Sequence, residues 1–421
     1  MKSFILNTSN IERDSFIWNM AGSLLMAFQS VIFLMILTRT VGLVESGVFT
    51  IAYANANLFL NIGKYGMRNY QVSDVKNQFS FRTYLTSRWI TTVVMIIVSV
   101  IYVLYTGNAN HYTIEKSQVI IWMCLFKVPD SMEDIYYGDY QKKGRLDVAS
   151  KAMTLRMIIT IILFSVIVII TGNLLLTLII STCVTSAIAA IFIVWTYPIF
   201  KENIPKTRNN VCLLLKSCLP VFLSSFLAFY IGNAPKYAID AQLTDELQAC
   251  YGFIAMPVFV IGLLNSFIFN PILFRISCLW NDKKIYEFVK NIVIQVVIVA
   301  GITIVCIFGA YILGIPILSI LYSTDLSLYK TELLVLLLGG GFLGLSGVLT
   351  AVITIMRYQN ALVVGYMIVA VIALLLSNSV VKKYEMMGAA VLYVGLMFML
   401  CMGFIIILII GLKKVKRDAC K

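Results

Sequence analysis

The sequence predicts an all-α polytopic membrane protein of about twelve transmembrane helices, and three observations predict it. Of 421 residues, 60% are hydrophobic and only 13% charged, where a soluble domain carries roughly 25% charged residues. Uncharged runs near the roughly 20 residues that a bilayer requires recur along the chain. The basic residues, 33 Lys and Arg against 20 Asp and Glu, are sorted by side. On a soluble protein a net charge of +13 points to nucleic acid; here membrane lipid, not nucleic acid, is the expected partner.

The runs are taken in order. Phe16 to Thr38 is the first span, Ser46 to Gly63 the second and Trp89 to Ile114 the third. Met157 to Phe200 is too long for one helix, and Thr171-Gly172-Asn173 divides it into a hairpin of two. Ser217 to Pro235 and Leu247 to Phe274 follow. Asn291 to Thr324 is expected to end as a helix near Gly314 and Pro316. Leu333 to Met356, Tyr358 to Val381 and Met386 to Leu412 bring the uncharged spans to eleven. The fourth span is the exception: Ser117 to Phe126 is apolar, then Lys127, Pro129, Asp130, Glu133 and Asp134 interrupt it.

With the N-terminus placed in the cytoplasm, twelve spans return the C-terminus there as well. This threading puts 26 of the 33 basic residues on the inner side, among them Lys76, Lys201, Lys206 and Arg208. Six (Arg39, Lys116, Lys236, Lys330, Lys382 and Lys383) fall outside, and Lys127 lies within the fourth span. That is the positive-inside pattern, and basic inner loops attract anionic headgroups. Residues 1–15 are mixed polar and do not read as a secretory signal. The nine cysteines have no metal or disulfide spacing.

Enzymatic chemistry is not expected. His111, the sole histidine, sits in a short outer loop. There is no nucleophile–base pair, metal cluster or phosphate-binding loop, and Gly339-Gly340-Gly341 lies inside a span, where small residues serve close packing. No outer loop on this threading exceeds about 20 residues, which speaks against a membrane-embedded polysaccharide polymerase. Weak internal likenesses pair Gly47-Val48-Phe49 with Gly252-Phe253-Ile254, and Tyr140-Gln141 with Tyr358-Gln359. An offset of six spans makes the repeat parallel, with an N-terminal lobe over 1–208 and a C-terminal lobe over 209–421.

Several stretches carry a family pattern: Thr38-Arg39-Thr40-Val41-Gly42, Gly47 to Ala52, Tyr65 to Asp74, Asp139 to Arg145, Asn233-Ala234-Pro235-Lys236-Tyr237 and Gly252 to Pro271. In their order and spacing the chain resembles the bacterial polysaccharide and O-antigen flippases of the multidrug/oligosaccharidyl-lipid/polysaccharide exporter superfamily. The resemblance implies two six-helix lobes about a V-shaped central cavity that work by alternating access. It implies a bacterial cytoplasmic-membrane protein that moves undecaprenyl-pyrophosphate-linked oligosaccharide repeat units from the inner to the outer leaflet for surface polysaccharide synthesis. No cofactor is implied beyond a coupling ion, H⁺ or Na⁺. A polysaccharide polymerase and glycosyltransferases are the expected protein partners. A cation-coupled multidrug exporter of the same superfamily is the alternative.

A diphosphate in hydrocarbon needs cations, and the arginine fork suits it. The candidates at helix ends are Arg39, Lys64, Arg68, Lys236, Arg275 and Arg357; Arg39 and Lys236 stand out because they oppose the positive-inside bias. Arg156 and Arg275 are placed to snorkel to headgroups, and Arg68 to pair with Asp74. Asn55, Asn57 and Asn61 offer uncharged hydrogen-bonding groups within the second span. In the fourth span, Lys127, Asp130 and Asp134 share one helical face. Lipid exposure of that face would cost several kcal/mol per charge, so it is expected either to point into a hydrated cavity, with Asp130, Glu133 and Asp134 as coupling-ion sites, or to lie in inner-face water beyond an early helix end.

Overall fold

The computed structural model describes residues 1–74, 77–200, 210–269 and 272–419. Lys76, Lys201, Lys206, Arg208, Pro271 and the lobe boundary expected at 208/209 lie outside them. Among the described residues every regular element is helical. Ten stretches of the described residues are long and apolar enough to cross a bilayer. The last is two helices that meet at Glu385, whose φ of 49° and ψ of −129° are not helical. The contacts divide the chain into two compact units, Met1–Phe226 and Leu227–Lys421.

The N-terminal unit begins with a short helix, α1 (Lys2–Leu6), and continues with α2 (Ile11–Thr40), α3 (Leu43–Lys64), α4 (Met67–Ser73) and α5 (Phe81–Ala109). Side-chain caps start several of these: Asn10 accepts from the amide of Arg13 ahead of α2, and Ser80 from that of Thr83 ahead of α5. The interrupted span is α6 (Ile114–Phe126) followed by α7 (Val128–Lys142). Pro129 lies in the first turn of α7, where its missing N–H costs nothing, so the break falls at Lys127 and the helix resumes at once. It does not end early: it runs on to Lys142. The expected hairpin is present, as α8 (Leu146–Thr171) and α9 (Leu174–Phe200) turn through Gly172 at φ 60°. Phe33 of α2 stacks on Phe164 of α8 with centroids 3.9 Å apart. The α1 residue Ile5 is fully buried among Tyr137, Tyr140, Val148 and Ala152.

α10 (Val211–Gln242) belongs to the first unit up to Phe226 and to the second from Leu227. The C-terminal unit adds α11 (Asp245–Phe269), α12 (Leu273–Asn281), α13 (Ile285–Gly309), α14 (Ile315–Tyr322), α15 (Lys330–Ile355), α16 (359–384) and α17 (386–419). The end expected at Gly314 and Pro316 is not there. A π-helical turn, Ala310–Gly314, joins α13 to α14, and Pro316 sits in the first turn of α14. The widened turn absorbs the proline, and the helix continues to Tyr322. At the centre of this unit α15 is approached closely on several sides. A Cβ on Gly339 would lie 2.5 Å from the Tyr393 ring of α17, and one on Gly341 2.6 Å from Thr303 of α13. One on Gly340 would lie 3.1 Å from Val258 and Ile261 of α11. The triple glycine is a packing device, as its place inside a span implied.

Candidate functional site

Charge is concentrated inside the N-terminal unit. Lys127, Asp130, Glu133 and Asp134 are all buried. Each acid is paired with a base, and most of the bases come from other helices. Lys127 Nζ lies 3.3 Å from Asp130 Oδ2, donates to Gln29 Oε1 of α2 at 3.2 Å and stands 4.7 Å from the ring centre of Tyr53 of α3. Arg156 of α8 reaches Asp130 Oδ1 at 2.5 Å and Glu133 Oε2 at 2.7 Å. These four side chains sum to zero formal charge. The shared helical face of Lys127 and Asp130 therefore points into protein, neither to lipid nor to inner-face water. Arg156 does not snorkel: with its side chain 3% exposed, the two carboxylates satisfy it in place of headgroups.

Asp134, one turn further on, behaves differently. Its Oδ2 accepts from Arg88 of α5 at 2.8 Å, and its Oδ1 lies 3.7 Å from Arg68 of α4. Arg88 is fully buried and also donates to the carbonyl of Gly63 at 2.5 Å. Gly63 is where α3, α5 and α7 meet, since a Cβ there would lie 2.7 Å from Ser131 and 2.8 Å from Met95. The pairing expected between Arg68 and Asp74 is not formed. Asp74 accepts from the amides of Gln78 and Phe79 and from the Tyr84 hydroxyl, and it faces Lys142 at 3.9 Å. With Asp74 so occupied, Arg68 turns the other way and donates to Gln141 Oε1 at 2.9 Å.

Arg68 and Asp134 open onto a cavity of about 490 Å³ within the same unit. Its wall also carries Lys64, Asn61, Asn19, Asn69, Gln141 and Ser225. The corner between α3 and α4 shapes it: Tyr65 and Gly66 are both left-handed, with φ of 49° and 64°, and a Cβ on Gly66 would meet Val221 of α10 at 2.8 Å. Tyr65 stacks on Phe222 there at 4.4 Å. Among the described residues no carboxylate lies within ion-pair distance of Lys64. The cavity thus offers two cations, one carboxylate and four carboxamides, a set that suits an anionic ligand rich in hydroxyl groups.

Of the other candidates, Asn61 lines this cavity and gives its amide to the Asn57 carbonyl at 2.9 Å. Asn57 does likewise to Tyr53 at 2.8 Å, and Asn55 is buried with its Oδ1 unpartnered among the described residues. Arg39 is exposed at the last turn of α2, Arg275 and Arg357 are exposed, and Lys236 is half-buried within α10. None of these four lines the cavity. Sequence reasoning passed over Arg88, counting it only as an inner-side charge. The signal was present in Arg88, Thr91, Thr92 and Ser99, a polar stripe at helical spacing that the structure buries.

Solved structures of like fold include a multidrug transporter and a lipid flippase. The lipid II flippase MurJ in its inward closed conformation superposes with a TM-score of 0.67, at 14% identity over 94% of this chain and 86% of that one. An inward-facing multidrug resistance MATE family transporter of the MOP superfamily gives 0.63, at 12% identity over 93% and 95%. The chain therefore shares the all-α fold of these two proteins, with ten described stretches long and apolar enough to cross a bilayer. In sequence it is 25% identical over 327 residues to the capsular polysaccharide biosynthesis protein CapF of Staphylococcus aureus, across 75% of this chain and 78% of that one. No family model matches the chain.

Proposed function

We propose that the protein flips undecaprenyl-pyrophosphate-linked oligosaccharide repeat units from the inner to the outer leaflet of a bacterial cytoplasmic membrane, for surface polysaccharide synthesis. The observation that carries this reading is the polar cavity of the N-terminal unit, with Lys64 and Arg68 set among Asn19, Asn61, Asn69 and Gln141. Its cations suit a phosphate or acidic sugar, and its amides donate to and accept from sugar hydroxyls. Likeness to a lipid II flippase and to a capsule biosynthesis protein points to the same substrate class. A cationic drug would meet net positive charge there, which weighs against the multidrug exporter.

Alternating access and a cytoplasmic placement of both termini complete the proposal, the latter supported by the distribution of basic residues. Coupling to H⁺ or Na⁺ through Asp130, Glu133 or Asp134 requires an ion pair to open, because each acid already has a basic partner. Deletion of the gene tests the reading. Lipid-linked repeat units are expected to accumulate on the cytoplasmic leaflet, with rescue by the wild type but not by Lys64→Gln/Arg68→Gln expressed at equal level. Normal surface polysaccharide in the deletion would overturn it.

A further inference from the structure

Asp134 shows its two oxygens to two arginines of unlike standing. Arg88, fully buried, makes a hydrogen-bonded pair with Oδ2 at 2.8 Å and is held in turn by the Gly63 carbonyl. Arg68, its side chain 28% exposed, stands 3.7 Å from Oδ1, beyond hydrogen-bonding reach. Its firmer partner is Gln141, a neutral group, at 2.9 Å. Arg88 therefore fixes the carboxylate, and the carboxylate attracts Arg68 without binding it. Lys64 lies on the same wall with no carboxylate at ion-pair distance among the described residues.

We propose that Asp134 is a built-in stand-in for the substrate's anion. This rests on the flippase reading and names a positioning residue within it. Asp134 keeps the Arg68 guanidinium at the cavity wall when the site is empty, and surrenders it to a phosphate or carboxylate that enters beside Lys64. A loose pair is suited to such an exchange, because Arg68 is part-exposed and lies beyond hydrogen-bonding reach of Asp134. The arrangement also serves release. A transport site must bind well enough to be filled and weakly enough to be emptied, and a resident carboxylate that competes for Arg68 sets that balance. Lys64 alone, or Arg68 without Asp134, would hold the anion too long.

The anion has two sources, the diphosphate of the lipid carrier or an acidic sugar in the repeat unit, and inorganic pyrophosphate and glucuronate serve as separate probes. Their affinities are measured by titration calorimetry on the full chain in nanodiscs. Asp134→Asn is expected to tighten the preferred probe about fivefold, the equivalent of a freed weak ion pair. In an Arg68→Gln background the same change is expected to move affinity less than about twofold, since the competitor then has nothing to withhold. Asp134→Glu, which keeps the charge, should bind as the wild type. In reconstituted flipping, Asp134→Asn should lower KM and kcat together, whereas a merely structural defect lowers kcat without tightening binding.

Unchanged or weaker affinity in a folded Asp134→Asn, alongside loss of binding in Lys64→Gln, would end this inference and leave the flippase reading standing. Failure of the wild type to bind either probe would remove the headgroup site and the inference with it. Should Asp134→Asn not fold, the wild-type structure with pyrophosphate decides. Arg68 turned from Asp134 to the anion supports the exchange, and Arg68 still within 4 Å of Asp134 with the anion elsewhere overturns it.

Discussion

The two units solve the same problem, joining helices in lipid, by opposite means. Met1–Phe226 buries eleven charged side chains among its described residues, including Arg88, Lys127, Asp130, Glu133, Asp134, Lys151 and Arg156. Leu227–Lys421 buries none among its own; Lys236 is only half-buried. The polar residues buried there are neutral among those described, such as Gln248, Gln295 and Asn265, the last donating to the Gly344 carbonyl at 3.0 Å. Helices in a membrane gain little from apolar burial, because lipid is as apolar as leucine, and associate through close packing or polar contacts. The C-terminal unit uses glycine contacts along α15, and the N-terminal unit uses ion pairs. The same ion pairs leave it able to present charge to a ligand at the cavity that Arg68 and Asp134 line.

The comparison is broken most directly at Arg156. Replacement by Gln strands Asp130 and Glu133 in the protein interior with only Lys127 beside them, and removal of one partner from a buried pair costs about 3–5 kcal/mol. Thermal unfolding in detergent should show the loss. Adding Glu133→Gln to the same chain should recover part of it, because Lys127 and Asp130 are then left as a neutral pair. If Arg156→Gln unfolds like the wild type, the charge cluster does not hold the unit together.

A smaller effect is expected from volume in the other unit. Gly339→Leu or Gly341→Leu must displace Tyr393 or Thr303, and overpacking of a tight contact costs about 1–3 kcal/mol. Gly347, also in α15, has nothing within 4 Å of the site of a new Cβ, so Gly347→Leu should be nearly silent in the same unfolding measurement. Equal effects at Gly347 and Gly339 would show that helix propensity, not close approach, sets the sensitivity.

The spans were legible because an uncharged run of bilayer length suits little besides a membrane helix, whereas the interrupted fourth, with Lys127 and Pro129 in it, left open whether its helix continued or ended early. The hairpin at Gly172 and the glycine packing of α15 were legible for the same local reason. What was not legible is who meets whom. Arg156 and Asp130 are 26 residues apart, Arg88 and Asp134 are 46, and Lys127 and Gln29 are 98. No periodicity encodes those meetings, and the nearest acid in sequence to Arg68, Asp74, proved to be occupied by backbone amides. The cavity was half legible. Lys64, Arg68 and Asn61 belong to one continuous stretch, while Asn19, Gln141 and Ser225 come from three other helices.

The smallest effect sharpens the comparison furthest, because it has the opposite sign. A charged residue of the C-terminal unit should be removable at a gain, and Arg357 is the place to show it. Its φ of 63° puts it in the left-handed region, where a side chain costs about 1–2 kcal/mol and glycine is at ease. The chain adopts that angle to close α15: the amide of Tyr358 donates to Ile353 at 3.1 Å and that of Arg357 to Thr354 at 3.0 Å, a paired closure that favours glycine at this position. Arg357→Ala and Arg357→Gly both discard the charge and its favourable place at a helix C-terminus, so the difference between them isolates the backbone. Gly should exceed Ala by about 1 kcal/mol in thermal unfolding, with transport intact in both. Lost transport in both, with Arg357→Lys active, would instead return Arg357 to the substrate path and give the C-terminal unit a charge it needs.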